Sequence, residues 1–168
     1  QLDYLDAPKT LEKSTALAAI KPILENPDIH KIGQNIKYDY EVLHKYGVTL
    51  KGKLFDTMIA HYLIQPELRH NMDYLAEIYL NYKTIHIEEL IGPKGRGQKN
   101  MGDLEPKDIY KYACEDADVT LRLMKPLAEE LRKNSLEEVF QNIEMPLMPV
   151  LARMERNGVV LDTETLKE

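Results

Sequence analysis

At 168 residues, with 43% hydrophobic and 30% charged residues, the chain has the make-up of one globular domain large enough to bury a core. Its net charge of −6 excludes a broad positive field, so any contact with nucleic acid must run through local groups or bound cations. The single cysteine, Cys114, excludes an internal disulfide and points to a reducing, cytoplasmic setting; no leader peptide is expected from Gln1-Leu2-Asp3-Tyr4, and the sequence holds no apolar run of the ~18 residues that cross a bilayer.

Gln1 is not an initiator Met, so the sequence is expected to begin partway through a larger protein. Residues 1–9 read as irregular, with Asp6-Ala7-Pro8 as a turn signal. From Thr10 to Glu25 the spacing predicts a helix with Leu11, Leu17, Ile20, Ile23 and Leu24 on one side and Pro22 near its last turn. Ile29 to Gln34 is short, partly β-branched and flanked by turn residues, which predicts a strand. It is the only convincing strand before the C-terminal end, and one strand makes no sheet, so either the rest of the sheet is missing or this segment is not a strand. Asn35 is placed to cap a helix over Ile36–Tyr46 that Gly47 stops. Phe55-Asp56-Thr57 opens another, with Asp56 as its cap and Met58, Ile59, Tyr62 and Leu63 as its buried side. Arg69-His70-Asn71 is polar and leads into a helix over Met72–Leu80.

Ile85–Ile91 fits a short strand or a helical turn equally well. Residues 92–102 form a glycine-rich basic loop that is not a Walker A loop, because Gln98 follows Gly97, and not Gly-x-Gly-x-x-Gly, because Asn100 takes the third position. It is either a solvated loop or, through Lys94, Arg96 and Lys99, a contact to a DNA backbone. A long helix opens at Pro106, which suits a first helical turn, bends at Pro126 and ends near Asn134. Helices over Ser135–Met145 and Pro146–Arg156 follow, Asn157-Gly158 ends the second, and Asp162 caps a new helix after the extended Val159-Val160-Leu161.

Two clusters could carry chemistry. On the long helix Tyr112 and Asp116 share a face, while Asp118 points well round from it. A carboxylate with a phenol one turn below can bind a metal and orient water; a core Tyr and a solvated Asp would look the same. In Asn35-Ile36-Lys37-Tyr38-Asp39, Asp39 lies in a first helical turn within reach of a metal or phosphate, Asn35 can cap or donate to a phosphate oxygen, and Tyr38 can stack on a base. Each also has a purely structural reading. The five histidines lack zinc-site spacing, no Gly-x-Ser-x-Gly is present, and Cys114, mid-helix without an evident base, reads as a small core residue.

Asn35-x-x-Tyr38-Asp39 followed by Tyr112-x-x-x-Asp116 resembles the second and third motifs of the DEDD-type 3′–5′ exonucleases, tyrosine variant. The longer stretches Lys31–Asp39, Phe55–Met58, Tyr112–Thr120, Asn142–Leu147 and Arg153–Gly158 resemble the bacterial DNA polymerase I family (family A), over essentially the whole chain. RNA-processing members of the DEDD group would not be expected to continue through the block at 142–158. The resemblance implies an α/β, ribonuclease H-like exonuclease fold lacking its first strands, hence mostly helical. It implies a partial exonuclease domain over residues 1–137 and the start of a polymerase module over 138–168.

In that family, carboxylates hold two divalent cations, magnesium or manganese, ~3.5–4 Å apart around the scissile phosphate. By match, Asp116 would ligate the cation carrying the attacking water, Tyr112 would orient that water and Asp39 would serve the second cation. Gln34, Asn35 and Tyr38 match positions near a bound single-stranded 3′ end of DNA, and Arg69 matches a phosphate contact. Ile87 stands where a larger apolar side chain meets a terminal base. The family's first motif, Asp-x-Glu, should precede Leu2–Pro8, and none occurs there; Asp162-x-Glu164 lies beyond the third motif. The early strands are therefore expected upstream of this sequence. These residues alone would then bind cations weakly and show little nuclease activity, in a parent that both proofreads and polymerises DNA. A parent in which the domain only scaffolds the polymerase is the alternative, and non-acidic residues at the first motif would mark it. No membrane partner is implied, and no oligomeric state is fixed, although an uncovered sheet edge favours dimerisation.

Overall fold

The computed structural model describes residues 11–167, so the turn expected at Asp6-Ala7-Pro8 and the helix start at Thr10 lie outside the described residues. A first helix, α1 (Lys13–Leu24), leads to strand β1 (Lys31–Gly33) and helix α2 (Ile36–Lys45). Strand β2 (Leu54–Asp56) runs straight into α3 (Thr57–Ile64), and α4 (Met72–Leu80) and the short α5 (Ile87–Ile91) follow. The long helix α6 (Pro106–Lys133) comes next, then α7 (Glu137–Val139), a π turn over Phe140–Glu144, and α8 (Met145–Asn157).

β1 is not alone. β2 pairs with it in parallel, in the register Lys31–Leu54, Ile32–Phe55 and Gly33–Asp56, with α2 in the crossover. The second strand escaped the sequence reading because it is three residues long and merges with the helix cap that follows it. The α/β character is thus confirmed as a mostly helical chain around a small sheet.

One carboxylate ties the two strand ends to the two helices that leave them. Asp56, 1% exposed, accepts from Met58 N at 2.8 Å and Ile59 N at 3.1 Å, capping α3 as expected. It also accepts from Ile36 N at 2.7 Å and Asn35 N at 3.3 Å, and so caps α2 as well. The Asn35 side chain takes no part: the residue occupies the cap position with φ 60° and makes no side-chain cap bond. Because Gly33 pairs with Asp56, both turns leave the sheet side by side and one acid serves both. Gly33 is needed there, since a Cβ would come within 2.9 Å of the Ile36 side chain. Burial pushes the Asp56 carboxyl above the ordinary range, and the four backbone N–H groups pull part of the way back.

The core lies along α6. Val119, Leu123, Leu127 and Leu131 recur every fourth residue and are all buried. They pack with Ala60 of α3, Leu75 and Ala76 of α4, and Phe140 and Met145 from the helical run that follows. α6 stays one element through Pro126. The helix expected from Ser135 begins at Glu137, after Ser135 takes a positive φ of 56°. The π turn lies just before Pro146, whose ring has no N–H to offer the Asn142 carbonyl, so a wider turn is tolerated there.

Other expectations are corrected by packing. α3 buries Thr57, Ala60 and His61 most deeply; of the expected side, Ile59 and Leu63 pack against the core and Met58 is half-buried, while Tyr62 is 55% exposed. Cys114 is exposed, lying about 140° round α6 from the Val119 stripe. Along α1, Leu17 and Leu24 are half-buried but Leu11, Ile20 and Ile23 are exposed, so no residue of α1 is fully buried among the described residues. Ile87–Ile91 resolves as a helical turn. Asp162 does cap, accepting from Glu164 N, Thr165 N and Thr165 Oγ1, but it opens a 3-10 turn, Thr165–Lys167, where a helix was expected.

Asp56→Ala removes caps from α2 and α3 together, and an expected loss of about 2–4 kcal/mol should appear as a lower urea midpoint. Asp56→Asn, which keeps one acceptor oxygen, should fall between. A cost of about 0.5 kcal/mol, the size of an ordinary surface change, would contradict this account.

Candidate active site

Three elements meet where β1 ends. Asp39, in the first turn of α2, and Asp116, on α6, both line one cavity of about 460 Å³, with Gly33 and Gln34 at its sheet side and Met72 and Thr120 closing it. The structure thus brings together the two carboxylates picked out in separate motifs. Tyr112 lies one turn before Asp116, next to its carboxylate. Asp118 faces away and pairs with Arg122 at 3.4 Å on the exposed side of α6.

Both acids are held at a cost. Burial, and then the negative Asp56 nearby, raise Asp39 above the ordinary carboxylate range. Burial is also the main cause for Asp116; the Tyr112 hydroxyl offsets part of it, and Glu115 and Asp73 add to it. Oδ1 of Asp116 is buried with no hydrogen-bond partner among the described residues. Tyr112 is pushed up to about 12, first by burial and then by Asp116, so its hydroxyl keeps its proton throughout the neutral range. Two acidic side chains facing one cavity, one with a buried free oxygen, are hard donors that fit a divalent cation. They are only part of a ligand set: among the described residues no three His, Cys, Asp or Glu side chains converge.

The other expected site residues are distributed around this centre. Asn35, in the left-handed region that Asn tolerates, keeps its side chain free of cap duty. Tyr38 is 67% exposed beside Asp39. Arg69 lines not this cavity but a polar one of about 440 Å³, with Asn71, Asp73, Lys83 and His86. Gln34 borders the carboxylate cavity, yet its amide is engaged: Thr57 Oγ1 donates to its oxygen, and its Nε2 donates to the His70 carbonyl at 2.6 Å. Lys94, Arg96 and Lys99 are exposed on their loop.

Two acids that the sequence did not single out shape the site from behind. Glu115 turns away from the cavity and accepts from Tyr82 Oη at 2.6 Å and Ile85 N at 2.7 Å, which fastens the segment after α4 to α6. Asp73 accepts from Thr84 Oγ1 at 2.7 Å and faces His86 Nδ1 at 3.3 Å, and its charge reaches both Tyr112 and Asp116. Only its place in the first turn of α4 could have drawn attention to it. No helix among the described residues is long and apolar enough to cross a membrane.

Residues 2–132 match a family model described as 3′–5′ exonuclease. A DNA polymerase I from Pseudomonas aeruginosa is 42% identical over 167 residues, 97% of this chain and 18% of that protein. One from Borreliella burgdorferi is 38% identical, over 94% of this chain and 17% of its own length. The chain thus spans less than a fifth of the relatives it matches. A solved structure of the POL domain of Pol1 from M. smegmatis, in complex with DNA primer-template and dNTP, superposes with a TM-score of 0.69 at 26% identity, covering 94% of this chain and 24% of that one.

A raised carboxyl contributes stability that is present below its ordinary pKa and is lost as pH rises through its folded value. Asp116→Asn, which removes the charge that burial disfavours, should therefore raise the melting temperature at pH 7. The gain should vanish below about pH 4, where the acid is protonated in both states. Differential scanning calorimetry across that range reads it directly, and a loss of stability at pH 7 would contradict the description of the site.

Proposed function

The chain belongs to the 3′–5′ exonuclease family of DNA polymerase I, and on that premise we propose that it supplies half of a divalent-cation site that hydrolyses the single-stranded 3′ end of DNA. The observation that carries this is Asp39 and Asp116 on one cavity, the second with a buried free oxygen. Asp116 and Asp39 would hold magnesium or manganese. Cations bound there supply a nucleophilic water at neutral pH and stabilise the leaving 3′ oxygen.

What the chain's own residues do follows from their surroundings. Asp116 offers its unpartnered Oδ1 from α6, one turn before the stripe that anchors this helix in the core. Tyr112, protonated up to about pH 12 and with its proton turned to Asp116, can accept a hydrogen bond from the attacking water on its oxygen and so fix the water's direction. The exposed Tyr38 ring can stack on a base of the unpaired end, and the uncommitted Asn35 amide can reach a phosphate oxygen. Arg69, in the neighbouring polar cavity, is placed for a phosphate further along the strand. Gln34, with its amide engaged, would touch DNA only from the cavity wall and otherwise serve the loop it bonds.

We assign residues 1–137 to the exonuclease domain and 138–168 to the start of the polymerase module, in a cytoplasmic DNA polymerase I. The exposed apolar row Ile143, Leu147, Val150, Leu151 and Met154 on the last helical run supports the second assignment, since Phe140 and Met145 on its other face already join the core. Hard cations prefer several oxygen ligands, and no Asp-x-Glu precedes β1 in this sequence. The 168 residues alone should therefore bind cations weakly and turn over slowly.

The test is degradation of a 3′-labelled single strand with magnesium or manganese, comparing this chain with a form extended upstream from its parent gene. The extended form should degrade the strand, and the chain alone should be slower by about 100-fold or more. Asp116→Asn should silence the extended form. Equal rates would contradict the divided site; no activity in either would favour a domain kept as a scaffold.

A further inference from the structure

Away from the two carboxylates, the most unusual polar arrangement is a buried pair of histidines. His61 of α3 is 0% exposed, and its Nδ1 lies 2.8 Å from Nδ1 of His70, in the loop that leads into α4. The surroundings are aromatic. Tyr74 and Tyr79 of α4 stand edge-on to the His61 ring, Tyr62 of α3 stands against His70, and Glu130 of α6 lies beyond Tyr79. His61 Nε2 is buried and has no hydrogen-bond partner among the described residues.

Two imidazole nitrogens at this distance share one proton, so one ring donates and the other accepts. If His61 accepted, its own proton would sit on Nε2 as a buried donor with no acceptor. If His61 donates from Nδ1, the unpartnered Nε2 is only a lone pair, and an under-satisfied acceptor is the more readily tolerated of the two. His70, half-buried, can then keep its proton on Nε2 at the outer side.

His70 is gripped at its backbone too. The Gln34 amide donates to its carbonyl, and Gln34 is itself held by Thr57, whose one hydroxyl proton is shared between the Gln34 oxygen and the Gly33 carbonyl 3.1 Å away. The loop so fastened carries Arg69 and Asn71 into the polar cavity on one side and Met72 into the carboxylate cavity on the other. We propose that His61 donates its Nδ1 proton to His70, and that this bond, together with the Gln34 bond, makes the two histidines positioning residues for Arg69 and Met72. The role given to the loop rests on the exonuclease reading; the proton's location does not.

Nitrogen-15 imidazole correlations on the 168-residue chain at pH 7 locate the proton. His61 should be protonated at Nδ1 and His70 at Nε2, with coupling across the bond. His61→Phe keeps an aromatic ring but removes the donor, so the backbone amide resonances of Arg69 and Met72 should shift. Affinity for a short single-stranded oligonucleotide, with calcium present so that nothing is cleaved, should fall about three- to tenfold, the size of one weakened phosphate contact. His61→Asn, which returns an N–H near the place of Nδ1, should restore both. A proton on His61 Nε2, or His61→Phe leaving Arg69 and Met72 unmoved, would overturn the proposal. Failure of the unsubstituted chain to bind the oligonucleotide would count against the exonuclease reading alone, with the imidazole and amide resonances still deciding this one.

Discussion

Everything near the candidate site is referred to the Asp56 carboxylate. Its two oxygens accept four backbone N–H groups from the first turns of α2 and α3, which fixes where both helices start relative to the paired strand ends. Asp39 is three residues into α2, so its position is set by that anchor. The same negative charge also raises Asp39. A group that stabilises the fold therefore makes the site less comfortable without a cation, which is the direction a cation-binding site requires.

α6 shows the same division between stability and use. One stripe of it, from Val119 to Leu131, is the core of the domain. The turn before that stripe carries Tyr112 and Asp116, and it is tied down from outside by Glu115 through Tyr82 and Ile85. The result is a buried carboxylate oxygen with no hydrogen-bond partner among the described residues. Left alone it costs stability; beside a divalent cation it is a ready ligand. The loop through His70 applies the same logic to Arg69 and Met72, with a ring-to-ring hydrogen bond in place of a carboxylate.

Much of this could be read from the sequence, and the misses have physical causes. The helix over Met72–Leu80, the start of α6 at Pro106 and the cap role of Asp56 follow from local rules, which is why they appear as expected. Asp39, Tyr112 and Asp116 were legible as motif residues, but their convergence needs the parallel pairing that a three-residue β2 provides. Asn35 looked like a cap because the residue type fits; a buried acid from another element took that duty, and no local signal carries that information. Tyr62 and Cys114 were misplaced because periodicity gives the spacing of a buried face and not its phase, which only the neighbouring helices set. The engagement of Gln34 with Thr57 and His70 is likewise a tertiary fact.

The central claim is that Asp39 and Asp116 belong to one divalent-cation centre and are not two separate surface acids. Manganese binding followed by electron paramagnetic resonance, in the unsubstituted chain, in Asp39→Asn, in Asp116→Asn and in the double variant, tests it most directly. A shared site predicts that each single change weakens binding and that the double change adds little beyond the worse single one. If either single change leaves the affinity where it was, or if the two losses simply add, the carboxylates do not form one site and the account fails.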